Sequence, residues 1–318
     1  MKIKELEINK SCIIPLVVLA ATPRETRAKK PYLALELYDG IDKINGNYWD
    51  WGGKAIPDKN TILNVSSTVT EWQGAKQLNI NGLTTNTDLH ISQFMPASGM
   101  DIMEVYQDAC ILASEIKDEL LQVLCVGVLE DLKSLWLTTP AANGIHHAYA
   151  AGTLIHSLSV AQIARAIATS IPGANVELAI AGGLLHDIGK LFGYRITGIV
   201  CEMTDEGKLY DHLFMGAEFI GNHAANLNLI KDDIAEAKLE MLRHIILSHH
   251  GTQEHGAVVS PVSMEAHIVF HADAVDALSE MIRDASKKVT KTKWTDRIWA
   301  LDNKPHLTPE YVHEVMLG

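Results

Sequence analysis

Leu184-Leu185-His186-Asp187-Ile188-Gly189-Lys190 ends an apolar run that begins at Val176. The periodicity of Val176–His186 predicts a largely buried helix. Neighbouring helical residues point about 100° apart, so His186 and Asp187 reach one centre most easily beside a helix end. Gly189 is suited to stop the helix there, and Gly182-Gly183 to admit a close neighbour.

Outward from this stretch the helical period continues. Ile102–Ser114, Glu119–Leu137, His147–Ser170, His212–Leu227, Asp233–His249 and Met264–Lys287 read as helices, and Ile199–Leu209 as a short hairpin around Asp205-Glu-Gly. Seven residues stand out on five of these helices or at their ends: His156, His186, Asp187, His212, His249, His250 and Asp273. Imidazole and carboxylate without thiolate suit first-row divalent ions such as Mn²⁺, Fe²⁺, Co²⁺, Ni²⁺ or Zn²⁺. Asp187 is placed to bridge two such ions while His186 holds one, an arrangement able to clamp a phosphoester for in-line attack. A lone helical histidine is ordinarily packed or solvated, and that reading is kept for His90, His223, His255, His306 and His313. His244 and His271 read as packing or supporting residues, and His267 is left open.

The first 95 residues have a different texture. Ser11–Ala21, Tyr32–Tyr38, Asn47–Trp51, Ile62–Val69 and Lys76–Ile80 are short runs rich in β-formers, separated by turn signals such as Asp39-Gly40, Asn45-Gly46, Gln73-Gly74 and Asn81-Gly82. Leu33, Leu35 and Leu37 alternate with Tyr32, Ala34, Glu36 and Tyr38, the pattern of a half-buried strand. Five short strands suit a small closed barrel of the OB type. Arg24, Arg27, Lys29 and Lys30 fall in the loop after the first strand, where such a barrel binds nucleic acid. Tyr38 and Trp72 are the candidate stacking faces for bases, with Trp49 a further one; Trp49 and Trp51 are expected on one face and Tyr48 on the other. A second basic stretch, Arg283 to Arg297 with Trp294, reads more simply as a solvated helix end. Thr84–Asp101 reads as a linker.

Charge separates the same two parts. Residues 1–95 carry 11 Lys/Arg against 10 Asp/Glu, and residues 96–318 carry 16 against 29. That acidity excludes wrapping of duplex nucleic acid by a broad basic surface, while leaving room for a local basic groove. Of 15 histidines, 12 lie between His146 and His271. The longest apolar runs, such as Cys12–Ala21, are about half of what a membrane helix needs. No secretory leader pattern opens the chain. Four separated cysteines without a Cys-x-x-Cys pair fit reduced thiols, and a cytoplasmic setting is expected.

His156, His186-Asp187 and Asp273 resemble the H…HD…D signature of the HD-domain metal-dependent phosphohydrolases. The wider text is similar to the YhaM-type 3′-to-5′ exoribonucleases. It comprises His146-His147-Ala-Tyr-Ala-Ala-Gly-Thr-Leu-Ile-His156, His186-Asp187-Ile-Gly-Lys190, Ser248-His249-His250-Gly251, and Pro261 with Glu265-Ala266 and Asp273. Two departures are visible: Ala151-Gly152 stands in place of a Gly-Gly pair, and Ile155 in place of an acidic residue before His156.

The resemblance implies a multidomain chain, with an N-terminal all-β OB-fold barrel at 1–95 that binds nucleic acid and an all-α HD domain at 96–318. It implies His156, His186, Asp187 and Asp273 as ligands of one ion, and His212 with one or both of His249 and His250 as ligands of a second. Mn²⁺ is the expected metal, with Fe, Co, Ni, Zn or Mg as other candidates. Lys190 is placed to meet a phosphate oxygen, and His146 and His147 to contact substrate or protonate a leaving oxygen. The expected activity is 3′-to-5′ hydrolysis of single-stranded RNA, with DNA as a further substrate and a homo-oligomer as a compatible assembly. No membrane partner is expected. Two rivals are an HD phosphohydrolase of a small nucleotide or cyclic dinucleotide, and a nucleic-acid-binding protein with a non-catalytic HD domain. The barrel argues against the first, because a small substrate needs no strand-binding module; the intact ligand set argues against the second.

Overall fold

A computed structural model of the chain describes residues 2–89, 91–94, 100–141, 150–197, 200–289 and 292–317. Two compact units emerge: Met1–Pro96 with Ile196–Val200, and Ala97–Arg195 with Cys201–Gly318.

The first unit is built on β1 (Ser11–Glu25), β2 (Pro31–Tyr38), β3 (Lys43–Tyr48), β4 (Ile62–Trp72) and β5 (Ala75–Thr85). They close into a barrel in the order β1-β2-β3-β5-β4. β3 and β5 run parallel, the other pairs antiparallel, and β1 closes the barrel on β4 from Ser11↔Thr68 to Val17↔Ile62. This is the OB-like barrel that the strand pattern predicts. Leu33, Leu35 and Leu37 point into its core beside Ile14, Leu16, Val65, Val69 and Leu78, while Tyr32, Ala34, Glu36 and Tyr38 are half-buried on the other face. Trp72↔Ala75 is the last pair of the β4–β5 hairpin, and Gln73 and Gly74 both have positive φ, the conformation that two-residue hairpin loops favour.

Two turn signals proved to be strand. Asn45-Gly46 lies inside β3, which therefore runs earlier than the expected Asn47–Trp51. A Cβ on Gly46 would stand 2.7 Å from Ile80 Cδ1, so the glycine makes room for a core side chain from β5. Gly82 likewise sits within β5 opposite Ser66, where the ladder shifts register.

The second unit contains α1 (Ile102–Ser114), α2 (Glu119–Asp131), α3 (Lys133–Trp136), α4 (Gly152–Ser170), α5 (Val176–Leu185) and α6 (Lys190–Gly193). In chain order the strands β6 (Tyr194–Thr197) and β7 (Val200–Met203), which are divided between the two units, come next, and the second unit continues with α7 (Asp205–Asn226), α8 (Asp233–Ser248), α9 (Met264–Ser286) and α10 (Pro309–Leu317). Side-chain caps fix many of the starts: Asp101, Asp118, Asn175, Thr204, Asp232 and Ser263 each accept from a backbone N–H of the first turn, at about 1 kcal/mol apiece. The expected Glu119–Leu137 helix breaks at Leu132 into α2 and α3. The hairpin lies earlier than expected, because Thr204-Asp-Glu-Gly is a helix start: the Thr204 hydroxyl accepts from Gly207 N–H, and two acidic residues complement the helix dipole.

α5 is buried from Leu178 to Leu185, packed with α4, α8 and α9 in one apolar core. Its contact with α4 is close enough that a Cβ on Gly183 would lie 2.5 Å from Ala161 Cα, as the glycine pair anticipated. Among the described residues no helix is long and apolar enough to cross a membrane.

Candidate metal centre

α5 ends at Leu185, and His186 is its C-cap. The two adjacent side chains thus leave the helix where they can converge. Gly189 does not stop the helix by a left-handed turn; its φ is −63°. Its role is closeness, since a Cβ there would lie 1.9 Å from the His212 carbonyl oxygen. α7 therefore lies directly on the His-Asp turn. Within α7, Asp211 has φ 61° and ψ 154°, and this kink brings His212 in.

Asp187 is 1% exposed and its two oxygens face different partners. Oδ2 is 3.5 Å from His156 Nε2, 3.4 Å from His186 Nε2 and 2.6 Å from Lys190 Nζ. Oδ1 is 3.4 Å from His212 Nε2 and 3.5 Å from His249 Nε2. Asp273, from α9, places Oδ1 3.2 Å from His156 Nε2. His250 is half-buried, its ring 4.4 Å from that of His249 and 5.1 Å from that of His212. Among the described residues three groups able to hold an ion result: His156–His186–Asp187, His186–His249–Asp273 and His212–His249–His250.

The outer ring nitrogens are tied down. His186 Nδ1 lies 2.8 Å from the Gly183 carbonyl, His249 Nδ1 2.8 Å from that of Ile246, and His212 Nδ1 2.6 Å from Asp211 Oδ1. Donation through Nδ1 leaves the Nε2 lone pair facing inward, as metal-binding imidazoles require. Burial, opposed by Asp211 and Asp187, leaves the His212 imidazole easier to deprotonate than usual, and burial does the same to His249. His250 is pushed down to about 4 by burial and by His249. Burial alone would raise the Asp187 carboxyl, but Lys190, His186 and His249 outweigh it and hold it well below the ordinary range. Asp273 is likewise held low against burial, chiefly by His156. His156 is the exception: its hydrogen bonds to Asp273 and Asp276 overcome burial and raise it to about 9.

Among the described residues, Asp187 Oδ1, His212 Nε2 and His250 Nδ1 are buried with no hydrogen-bond partner. Each such atom costs about 1–3 kcal/mol if left unsatisfied, more where it is charged. Orphaned acceptors among neutral imidazoles and ionised carboxylates fit a divalent cation, and this nitrogen-and-oxygen set suits first-row metals.

Residues 153–278 match the sequence model of the HD domain family. The helical unit carries an HD domain. All seven candidate ligands, with Lys190, lie inside it. Over 304 residues the chain is 28% identical to the 3′-5′ exoribonuclease YhaM of Oceanobacillus iheyensis, a match covering 93% of each chain. Among solved structures it is similar to a domain of replication protein A from Methanococcus maripaludis (28% identity, 27% of this chain, 92% of that one, TM-score 0.24). It is also similar to the second OB-fold domain of that archaeal protein (22% identity, 28% of this chain, 96% of that one, TM-score 0.24).

Four residues that the sequence did not single out belong to the HD site. Asp211 and Asp276 back His212 and His156, and Ser159 in turn hydrogen-bonds Asp276. Tyr194 is half-buried and feels the charges of Lys190, Asp187 and Asp211. Ser159 and Asp276 stand three residues beyond a candidate ligand, on the same helix face, and that spacing is a signal the sequence held. His146 and His147 lie outside the described residues. His244 supports a loop by accepting from Val262 N–H, whereas His271 is exposed rather than packed, as is His267.

In the barrel Arg24, Arg27, Lys29 and Lys30 are all exposed, but Arg24 belongs to the end of β1 and Lys30 pairs with Asp50 at 3.1 Å. Trp72 is 66% exposed. Tyr38 is less available than expected: it is half-buried, and burial with Asp39 and Asp42 raises its hydroxyl to about 12. Tyr48 and Trp51 are both core, and Trp49 lies against Tyr32 with ring centroids 4.5 Å apart, because β3 ends at Tyr48 and strand alternation does not extend to the tryptophans. In the second basic stretch Arg283 pairs with Glu280 and Lys287 with Asp284, the ordinary solvated helix end; Lys291 lies outside the described residues.

Proposed function

We propose that this protein is a metal-dependent 3′-to-5′ exonuclease of single-stranded RNA, with two divalent ions, Mn²⁺ foremost, as its cofactor. The observation that carries the proposal is the two-sided surround of Asp187, with His156, His186 and Lys190 at Oδ2 and His212 and His249 at Oδ1. Similarity to an exoribonuclease along nearly the whole chain supports the same reading. His156, His186 and Asp273 would hold one ion and His212, His249 and His250 the other, with Asp187 shared. Bound there, such ions polarise a phosphodiester and lower the pKa of water.

The chain's own groups do the rest. Lys190, 2.6 Å from Asp187 Oδ2 and kept protonated by that carboxylate, meets the charge of a non-bridging phosphate oxygen. The neutral His250 has an Nδ1 with no partner among the described residues, and its half-buried ring suits contact with the scissile group. His146 and His147 would contact substrate or protonate the leaving oxygen. Arg24, Arg27, Lys29 and Lys30 would hold upstream phosphates and Trp72 a base, with Tyr38 contributing its exposed edge.

The test is a time course with 5′-labelled RNA, 5′-labelled DNA and free nucleotides in the presence of Mn²⁺. A ladder shortening from the 3′ end of RNA supports the proposal. Turnover of free nucleotides alone would transfer the site to the small-nucleotide class.

A further inference from the structure

α4 and α9 face each other with two pairs of polar residues, each pair three positions apart: His156 and Ser159 on α4, Asp273 and Asp276 on α9. Spacing of three puts both members of a pair on one helix face. Asp273 Oδ1 approaches His156 Nε2 at 3.2 Å, while Asp276 Oδ2 lies 2.7 Å from His156 Nδ1. The other oxygen of Asp276 accepts from the Ser159 hydroxyl at 2.5 Å. His156 thus faces Asp273 and Asp187 with Nε2, on the side of the centre, and Asp276 with Nδ1, on the side away from it.

Three other histidines of the site are backed differently. His186 and His249 lean on backbone carbonyls, which carry no net charge. His212 leans on Asp211, but that side chain is 63% exposed, so water screens it. Asp276 is 4% exposed. Of the four backing groups it alone is a full charge held away from solvent.

We infer that Asp276 is a positioning residue that sets the cation affinity of the His156 end of the centre. It accepts from Nδ1 and so directs the Nε2 lone pair toward Asp187 and Asp273, and its charge makes that nitrogen a stronger donor. Ser159 fixes the carboxylate in turn. The inference rests on the proposed metal site and adds what tunes it. Loss of such an outer partner typically lowers metal affinity about 10–100-fold.

Mn²⁺ binding to the full chain, followed by calorimetry on wild type, Asp276→Asn and Asp276→Ala, tests this, with thermal melts of each in chelator. Asparagine can keep both hydrogen bonds, through its oxygen to His156 and its amide to Ser159, while dropping the charge. The expected result is about tenfold weaker Mn²⁺ binding for Asp276→Asn with a melt close to wild type, and about a hundredfold weakening for Asp276→Ala. Wild-type affinity in Asp276→Asn would overturn the inference, whatever the melts show, and reduce Asp276 to a packing residue. Should Asp276→Ala fail to fold, Asp276→Asn alone decides. A wild-type chain that binds no Mn²⁺ would overturn the metal reading beneath it, an outcome distinct from a bound ion that ignores Asp276.

Discussion

In the helical unit the candidate ligands His156, His186, Asp187 and His249 are nearly sealed from solvent, whereas in the barrel Arg24, Arg27, Lys29 and Trp72 stand in water. A buried polar group costs free energy unless a partner compensates it. Its presence on an otherwise apolar helix therefore demands a cause, and one sequence can be searched for that cause. An exposed lysine or tryptophan demands none, and the same residue serves solubility or strand binding equally well. Buried chemistry is legible in a sequence; surface chemistry needs the fold before its candidates can be sorted.

The sharpest way to break this contrast is at its most buried point. Asp187→Asn should retain the helical circular dichroism spectrum, lose Mn²⁺ binding and reduce phosphodiester hydrolysis to assay background. Hydrolysis at the wild-type rate would remove the helical unit's claim to the chemistry. Next comes the backbone that brings α7 onto the His-Asp turn. Gly189→Ala sets a methyl 1.9 Å from the His212 carbonyl. The chain must shift, so denaturant unfolding should show a loss of about 3 kcal/mol.

Replacing Arg24, Arg27, Lys29 and Lys30 together by Ala addresses the exposed side. Each phosphate contact on a single strand contributes roughly 0.7 to the slope of log affinity against log salt, so about three contacts give a slope near −2. The fourfold variant should flatten that slope and raise KM for long RNA about tenfold, leaving a nitrophenyl nucleotide ester almost untouched. Equal losses on both substrates would make the barrel mere scaffolding. The smallest effect belongs to Ala151, which is buried and held at φ 59°, a conformation that disfavours any side chain. Ala151→Gly should stabilise the fold by up to about 1 kcal/mol in the same unfolding assay, the lost methyl contact offsetting part of the gain.

These particulars also show where the sequence was readable. The alternating leucines of β2 carry a period of two, and the run ending at His186-Asp187 is apolar along its whole length, as a helix buried on every side must be; the barrel and the helical core followed from these two patterns. Asn45-Gly46 and Asn81-Gly82 misled, because a glycine that makes room for Ile80 or sits at a register shift looks the same as one that turns the chain. Thr204-Asp-Glu-Gly misled for a related reason: polar residues at a helix start resemble those of a turn. Asp276 was marked only by its spacing of three from Asp273, because the histidine that it backs lies 120 residues away on another helix, and Asp211, directly beside His212, carries no period that sets it apart.

The central claim is that Asp187 stands between two cation positions, and a count of bound ions tests it most directly. Equilibrium dialysis of the chelator-treated full chain against saturating Mn²⁺, with metal measured by mass spectrometry, should give close to two ions per chain, and His212→Ala should lower this toward one. One ion in both proteins would contradict the account and leave His212, His249 and His250 as contacts for substrate.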